Sequence, residues 1–210
     1  MDNHITVKRA MSLYSGTNNL QSHICRFIIL AKDAESEIRY VDEHFNIAEL
    51  AELNPYGEVP ILVDRDFVIY GANIIVEYLD ERLPHPPLLP VDPVMRGRAR
   101  LMIYRLTRDW LNKVYAYDNG EIDELDAETK KDIRDGLVSI SPVLSEQDYL
   151  LGNDVSLVDF YMAPFLWRLH SHGIKLPPKQ AKPMLSYAER MFSMESFRKS
   201  LSAAEKALNV

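Results

Sequence analysis

Apolar positions in the first third of the chain follow two different periods. Met11-Ser12-Leu13-Tyr14, the group Ile38, Tyr40 and Val41, and the runs Ile61-Leu62-Val63 and Phe67-Val68-Ile69-Tyr70 are short and β-rich. The last two flank a tight Asp64-Arg65-Asp66 turn, which predicts an antiparallel hairpin. Between the strands, Ile24, Phe27, Ile28 and Ala31 recur at i, i+3, i+4 and i+7, the spacing of one helix face. A polar loop over residues 15–19 precedes that helix, and Ser22 is placed to cap it. Asn46 is placed to cap a short helix ending near Leu53, and Ile74, Ile75, Tyr78 and Leu79 mark a third helix over 72–82. The predicted order over residues 11–83 is β-α-β-α-β-β-α, a small α/β unit.

The pattern changes at Pro84. Five prolines fall within residues 84–93, too many for regular structure, so 84–92 is predicted to be a semi-rigid linker. Residues 93–210 show only helical periods. Ile103, Leu106, Trp110, Val114 and Tyr117 predict one continuous buried helix face. A polar stretch, 118–131, leads to a helix carrying Leu137, Ile140 and Leu144, and 156–169 is apolar nearly all round, as a central buried helix should be. Two amphipathic segments follow, one through Leu185, Ala188, Met191 and Phe192, the other through Phe197, Leu201, Ala204 and Leu208. Residues 1–10 read as a polar tail without the apolar segment of a secretory signal. The fold class is therefore α/β followed by all-α.

Composition narrows the chemistry. The 210 residues are 47% hydrophobic and 26% charged, the balance of a globular protein, and the single cysteine excludes a disulfide framework or a multi-cysteine metal site. No apolar run approaches the ~20 residues of a membrane span, so no membrane partner and a cytoplasmic location are expected. A net charge of −7 repels polyanions, which argues against direct sequence-specific binding of nucleic acid. His170 and His172 are two apart and do not share a helix face, and no glycine-rich phosphate cradle or nucleophile elbow is present. No metal or cofactor is expected. Arg96, Arg98, Arg100, Arg105 and Arg108 form a basic series that reads either as a solvated helix face or as a contact for an acidic partner.

Three local features add detail. Val59-Pro60 stands just before a strand; a trans proline is the commoner arrangement there, while a cis peptide would leave the preceding backbone open to a ligand. Ser156 and Asp159 are spaced as a capping box at the start of the apolar helix, which gives Asp159 a structural task rather than a catalytic one. Cys25 lies within the first helix rather than before it, with no second cysteine, and reads as a buried structural thiol.

With these halves, Val59-Pro60 and the capped central helix, the chain resembles the glutathione S-transferase fold over about residues 11–208. That resemblance implies a thioredoxin-like N-terminal domain and a helical C-terminal domain. Asn54-Pro55, Glu77-Tyr78-Leu79-Asp80-Glu81-Arg82, Leu166-Trp167-Arg168-Leu169 and above all Pro84-His85-Pro86-Pro87-Leu88 are similar to the stringent starvation protein A family, which is RNA polymerase-associated. The transferase resemblance puts the catalytic serine or cysteine position near Asn19, whose amide is no nucleophile. Where it places an acid–serine pair for the γ-glutamyl end, the chain has Gly71-Ala72, with no polar side-chain atom. Asn19, Val59, Pro60, Gly71 and Ala72 thus outline a vestigial glutathione site with no catalytic residue, unless Tyr14, Ser15 or Thr17 stands in. The family resemblance assigns Pro84, His85, Pro86 and Pro87 to contact with RNA polymerase holoenzyme, including its primary sigma factor, and implies a homodimer. On the residues alone, the favoured reading of these prolines is a helix stop that aims the chain toward its second half, and only the resemblance reverses it. The competing activity is a glutathione-dependent transferase or thiol reductase.

Overall fold

The structure, a computed structural model, describes residues 11–42, 45 and 47–208. The polar tail over 1–10 and the Asn46 cap lie outside the described residues. The first half comprises β1 (Met11–Gly16), α1 (Leu20–Ala31), β2 (Ser36–Val41), α2 (Ile47–Leu53), β3 (Ile61–Asp64), β4 (Phe67–Tyr70) and α3 (Ala72–Arg82). The sheet runs β2-β1-β3-β4; β1 and β2 are parallel across α1, and β1–β3 and β3–β4 are antiparallel. Alternation along β1 builds both faces. Leu13 enters the large core with Leu62 and Ile69 under α1 and α3, while Tyr14 joins Ile61 and Leu50 of α2 on the opposite face.

Two details of this half correct the sequence reading. β1 runs two residues beyond Tyr14, because Ser15 and Gly16 pair with Tyr40 and Val41 and leave only 17–19 as loop. The cap of α1 is Asn19 rather than Ser22: Asn19 has extended φ/ψ, and its Oδ1 accepts from Ser22 N at 2.8 Å. The Ser22 hydroxyl instead accepts from Gly16 N at 3.0 Å, tying the helix back to the strand. The Val59–Pro60 peptide is cis, not trans as the commoner case predicted, and His85–Pro86 is cis as well.

The second half holds α4 (Pro93–Leu106), α5 (Asn112–Asp118), α6 (Ala127–Ile140), α7 (Leu157–Arg168), α8 (Lys182–Ser193), α9 (Glu195–Ser200) and α10 (Ala203–Ala207). A π-helical turn, Thr107–Leu111, joins α4 to α5. Its wider turn breaks the single face expected from residue 103 to 117: Leu106, Leu111 and Val114 are buried, whereas Tyr117 is exposed. Asp126 caps α6, accepting from Thr129 N at 2.6 Å, so the helix begins inside the polar stretch. Central α7 is buried on nearly every side, as expected of an apolar segment. Its Ser156–Asp159 capping box forms. Asp159 accepts from Ser156 N, the Ser156 hydroxyl, Leu150 N and the Tyr187 hydroxyl at 2.8–3.0 Å, which makes this carboxylate a buried tie between α7, α8 and the preceding loop.

The last amphipathic segment is two short helices, because Ser202 and Glu205 form a second capping box that restarts the chain at α10. The restart inverts the expected face: Ala204 is exposed and Glu205 is wholly buried.

Candidate functional site

The amides at the start of α1 are the anion-binding end of that helix. In this chain its own oxygens take them. Asn19 holds Ser22 N, and Leu20 N donates to Oδ2 of Asp118, the last residue of α5, at 2.6 Å. Burial pushes the Asp118 carboxyl up to about 6; Arg168 and the Leu20 amide oppose the rise and Glu205 adds to it. Asp118 also lines a cleft of about 470 Å³ between the two halves, together with Thr17, Asn19, Val59, Asn119 and Glu121. A negative group thus already sits where a peptide thiolate would need the helix end.

The remaining expected positions divide. Asn19 and Val59 reach the cleft, whereas Pro60 is buried and Gly71 and Ala72 lie apart from its walls, at the start of α3. Gly71 is the N-cap of α3 at φ 85°, a conformation that favours glycine, and supplies no side-chain cap. Ala72 is buried. Of the possible stand-ins, the Tyr14 hydroxyl accepts from Arg39 and the Ser15 hydroxyl from Arg26; only Thr17 lines the cleft. Cys25 is wholly buried, and that burial pushes its thiol up.

Behind the cleft, an ion network joins the halves. Arg26 of α1 and Arg168 of α7 hold the two carboxylate oxygens of Glu205, all three side chains being essentially inaccessible. Arg26 also donates to Ser200 O at 2.8 Å and Gly16 O at 2.9 Å, and His23 lies between Arg168 and the Ser200 hydroxyl, 2.9 Å from each. Burial, then the neighbouring Arg168 and Arg26 charges, holds His23 well below its ordinary range, so it is neutral. Sequence reasoning missed Asp118, His23 and this triad; the one local signal was the Ser202–Glu205 spacing.

Residues 84–87 form an exposed ridge after α3. Its position is set from beneath by Lys32 and Asp80, both buried. The Lys32 ammonium donates to Asp80 at 2.6 Å, to Leu83 O at 2.8 Å and to Pro86 O. The Asp80 carboxylate accepts from Leu88 N at 2.8 Å and Leu89 N at 3.0 Å. Leu88 O then accepts from Leu157 N at 2.7 Å, which anchors the ridge to the first turn of α7. An interior ion pair therefore grips both ends of the ridge through backbone groups and leaves the rings of Pro84, His85, Pro86 and Pro87 facing outward.

Family models for the glutathione S-transferase N-terminal and C-terminal domains match residues 9–81 and 96–195. The Tau class glutathione S-transferase of mango superposes with a TM-score of 0.79 over 96% of this chain and 97% of its own, at 20% identity. The architecture is thus a thioredoxin-like domain followed by a helical domain in the glutathione S-transferase fold. A stringent starvation protein A homolog of Coxiella burnetii is 43% identical over 199 residues, 94% of each chain. One from Pasteurella multocida is 38% identical over 92% of this chain and 91% of its own. The chain belongs to the stringent starvation protein A family. Among the described residues, no helix is long and apolar enough to cross a membrane.

Proposed function

We propose that this protein is a non-catalytic transcription regulator of the cytoplasm. It docks on RNA polymerase holoenzyme, including the primary sigma factor, and alters promoter use under starvation, stationary phase or acid stress. The observation that carries this reading is the ridge itself: four outward-facing rings on a backbone gripped by the buried Lys32–Asp80 pair. A partner that docks on such a pre-ordered segment spends little entropy in fixing it. Asp118 at the head of α1, with Gly71 and Ala72 at the head of α3, supports the absence of transferase chemistry, because the groups that would hold the two ends of glutathione are replaced. An acidic surface complements basic protein faces and is repelled by DNA.

The same reading pairs two copies of the chain. Phe67, Ile74, Val94 and Tyr104 are exposed on β4, α3 and α4, and Arg100 of α4 bridges to Glu77 of α3 beside them. Light scattering is expected to give a dimeric mass that falls to the monomer in Ile74→Glu/Tyr104→Glu. Affinity capture of the tagged chain from stationary-phase cells tests the main claim: polymerase core subunits and sigma factor are expected in stoichiometric amounts. Their absence, with retention of the protein on glutathione resin, would overturn it.

A further inference from the structure

The cleft at the head of α1 shares no residue with the ridge or with the apolar face that pairs two copies, and its charges are all of one sign. Among the described residues, its wall carries three carboxylates, Asp118, Glu121 and Glu58, and no Lys, Arg or His. Glu58 and Glu121 are exposed, and among the described residues neither meets a cation; Glu121 has only the Asn119 amide at 3.5 Å. Asp118 is half-buried. Behind the wall, Arg26 and Arg168 are held by Glu205. The Arg168 charge acts on Asp118 but does not offset the burial that raises its carboxyl. Val41 and Val59, both half-buried, add apolar surface to the same wall.

An unused donor stands beside these acids. Asn19 is only 7% exposed, and its Oδ1 is committed to Ser22 N at 2.8 Å. Its Nδ2 has no partner among the described residues, and the side chain lines the cleft. A donor so deeply placed is unfavourable without an acceptor, so it calls for an oxygen on whatever fills the space. Asp118 and Asn19 hold amides two residues apart, Leu20 N and Ser22 N, so carboxylate and free amide share one helix turn. A cation and a carbonyl oxygen carried on one molecule match that pair, and the two exposed carboxylates match a second cation. At about 470 Å³ the cleft is within the range of small-molecule sites.

We propose that this cleft binds a small aliphatic diammonium compound that also carries a carbonyl oxygen. One ammonium sits on Asp118, the other on Glu121 and Glu58, the methylene chain lies on Val41 and Val59, and the carbonyl accepts from Asn19 Nδ2. Calorimetric titration of the full-length protein with N-acetylspermidine at pH 7.5 and low ionic strength tests the assignment. Saturable binding of one molecule per chain is expected. Putrescine, which keeps the diammonium unit without the carbonyl, should bind about threefold to tenfold more weakly. N-acetylputrescine, with the carbonyl and one ammonium, should bind about twofold to fivefold more weakly. Asp118→Asn keeps the bond to Leu20 N and should weaken N-acetylspermidine by at least about tenfold. Asn19→Ser keeps a capping oxygen and should bring N-acetylspermidine down to the level of putrescine. Heat that does not saturate, equal affinity in Asp118→Asn, an unaltered preference in Asn19→Ser, or a crystal structure with the amine bound outside the cleft would each overturn the proposal.

Discussion

Replacing Asp118 by asparagine tests the chemistry at the head of α1. The asparagine carbonyl still accepts from Leu20 N, so the geometry survives while the charge is removed. In the folded chain the carboxyl rises from 3.8 to about 6, chiefly through burial. At about 1.4 kcal/mol per unit, ionising it costs the fold about 3 kcal/mol. The sign follows from linkage: a raised carboxyl contributes stability that is complete below about pH 4 and lost as pH rises through about 6. Asp118→Asn should therefore gain up to about 3 kcal/mol over the natural protein near pH 7.5, with no gain near pH 4. That corresponds to a Tm higher by as much as about 10 °C for a chain of this size. His23 and His172, which burial holds well below its ordinary range and at about 4 respectively, act in the opposite sense as pH falls. The decisive quantity is therefore the difference between variant and natural protein in urea titrations across that window. A loss of stability that is the same at every pH would refute the assignment of Asp118 as a costly, half-buried anion.

Three further outcomes follow from other sites. Glu205→Ala leaves Arg26 and Arg168 as uncompensated buried cations and should cost about 3–5 kcal/mol in chemical denaturation; a loss below about 1 kcal/mol would contradict the network. Gly136→Ala forces a methyl against Trp110 and should destabilise by about 1–3 kcal/mol while shifting the tryptophan emission, whereas an unchanged spectrum would contradict that contact. The natural protein should pass through glutathione resin and show no saturable heat with millimolar glutathione; tight retention would show that Thr17 rebuilds the site.

What the sequence made legible was local. The β3–β4 hairpin, α3 and the Ser156–Asp159 cap depend on neighbours within a few positions, so periodicity and spacing revealed them. The cap of α1 was misread by three residues because Asn19 and Ser22 are both good cap formers, and the choice rests on where β1 ends. The face of α10 was inverted because hydropathy favours burying Ala204, whereas two arginines from distant helices draw Glu205 inward. Asp118 meets Leu20 across 98 positions, and Lys32 meets Asp80 across 48, so no window of sequence contains either pair. The exposed proline–histidine ridge was visible as composition; the buried pair that holds it was not.

The most direct test of the regulator reading compares purified components. Pro84→Ala/His85→Ala/Pro87→Ala leaves Pro86 and the backbone groups on which Lys32 and Asp80 act in place, so its helical content and unfolding midpoint should match those of the natural protein. In a binding titration against RNA polymerase holoenzyme, the natural protein should saturate and this folded variant should show no measurable complex. Undiminished affinity of the folded variant would contradict the assignment of the ridge.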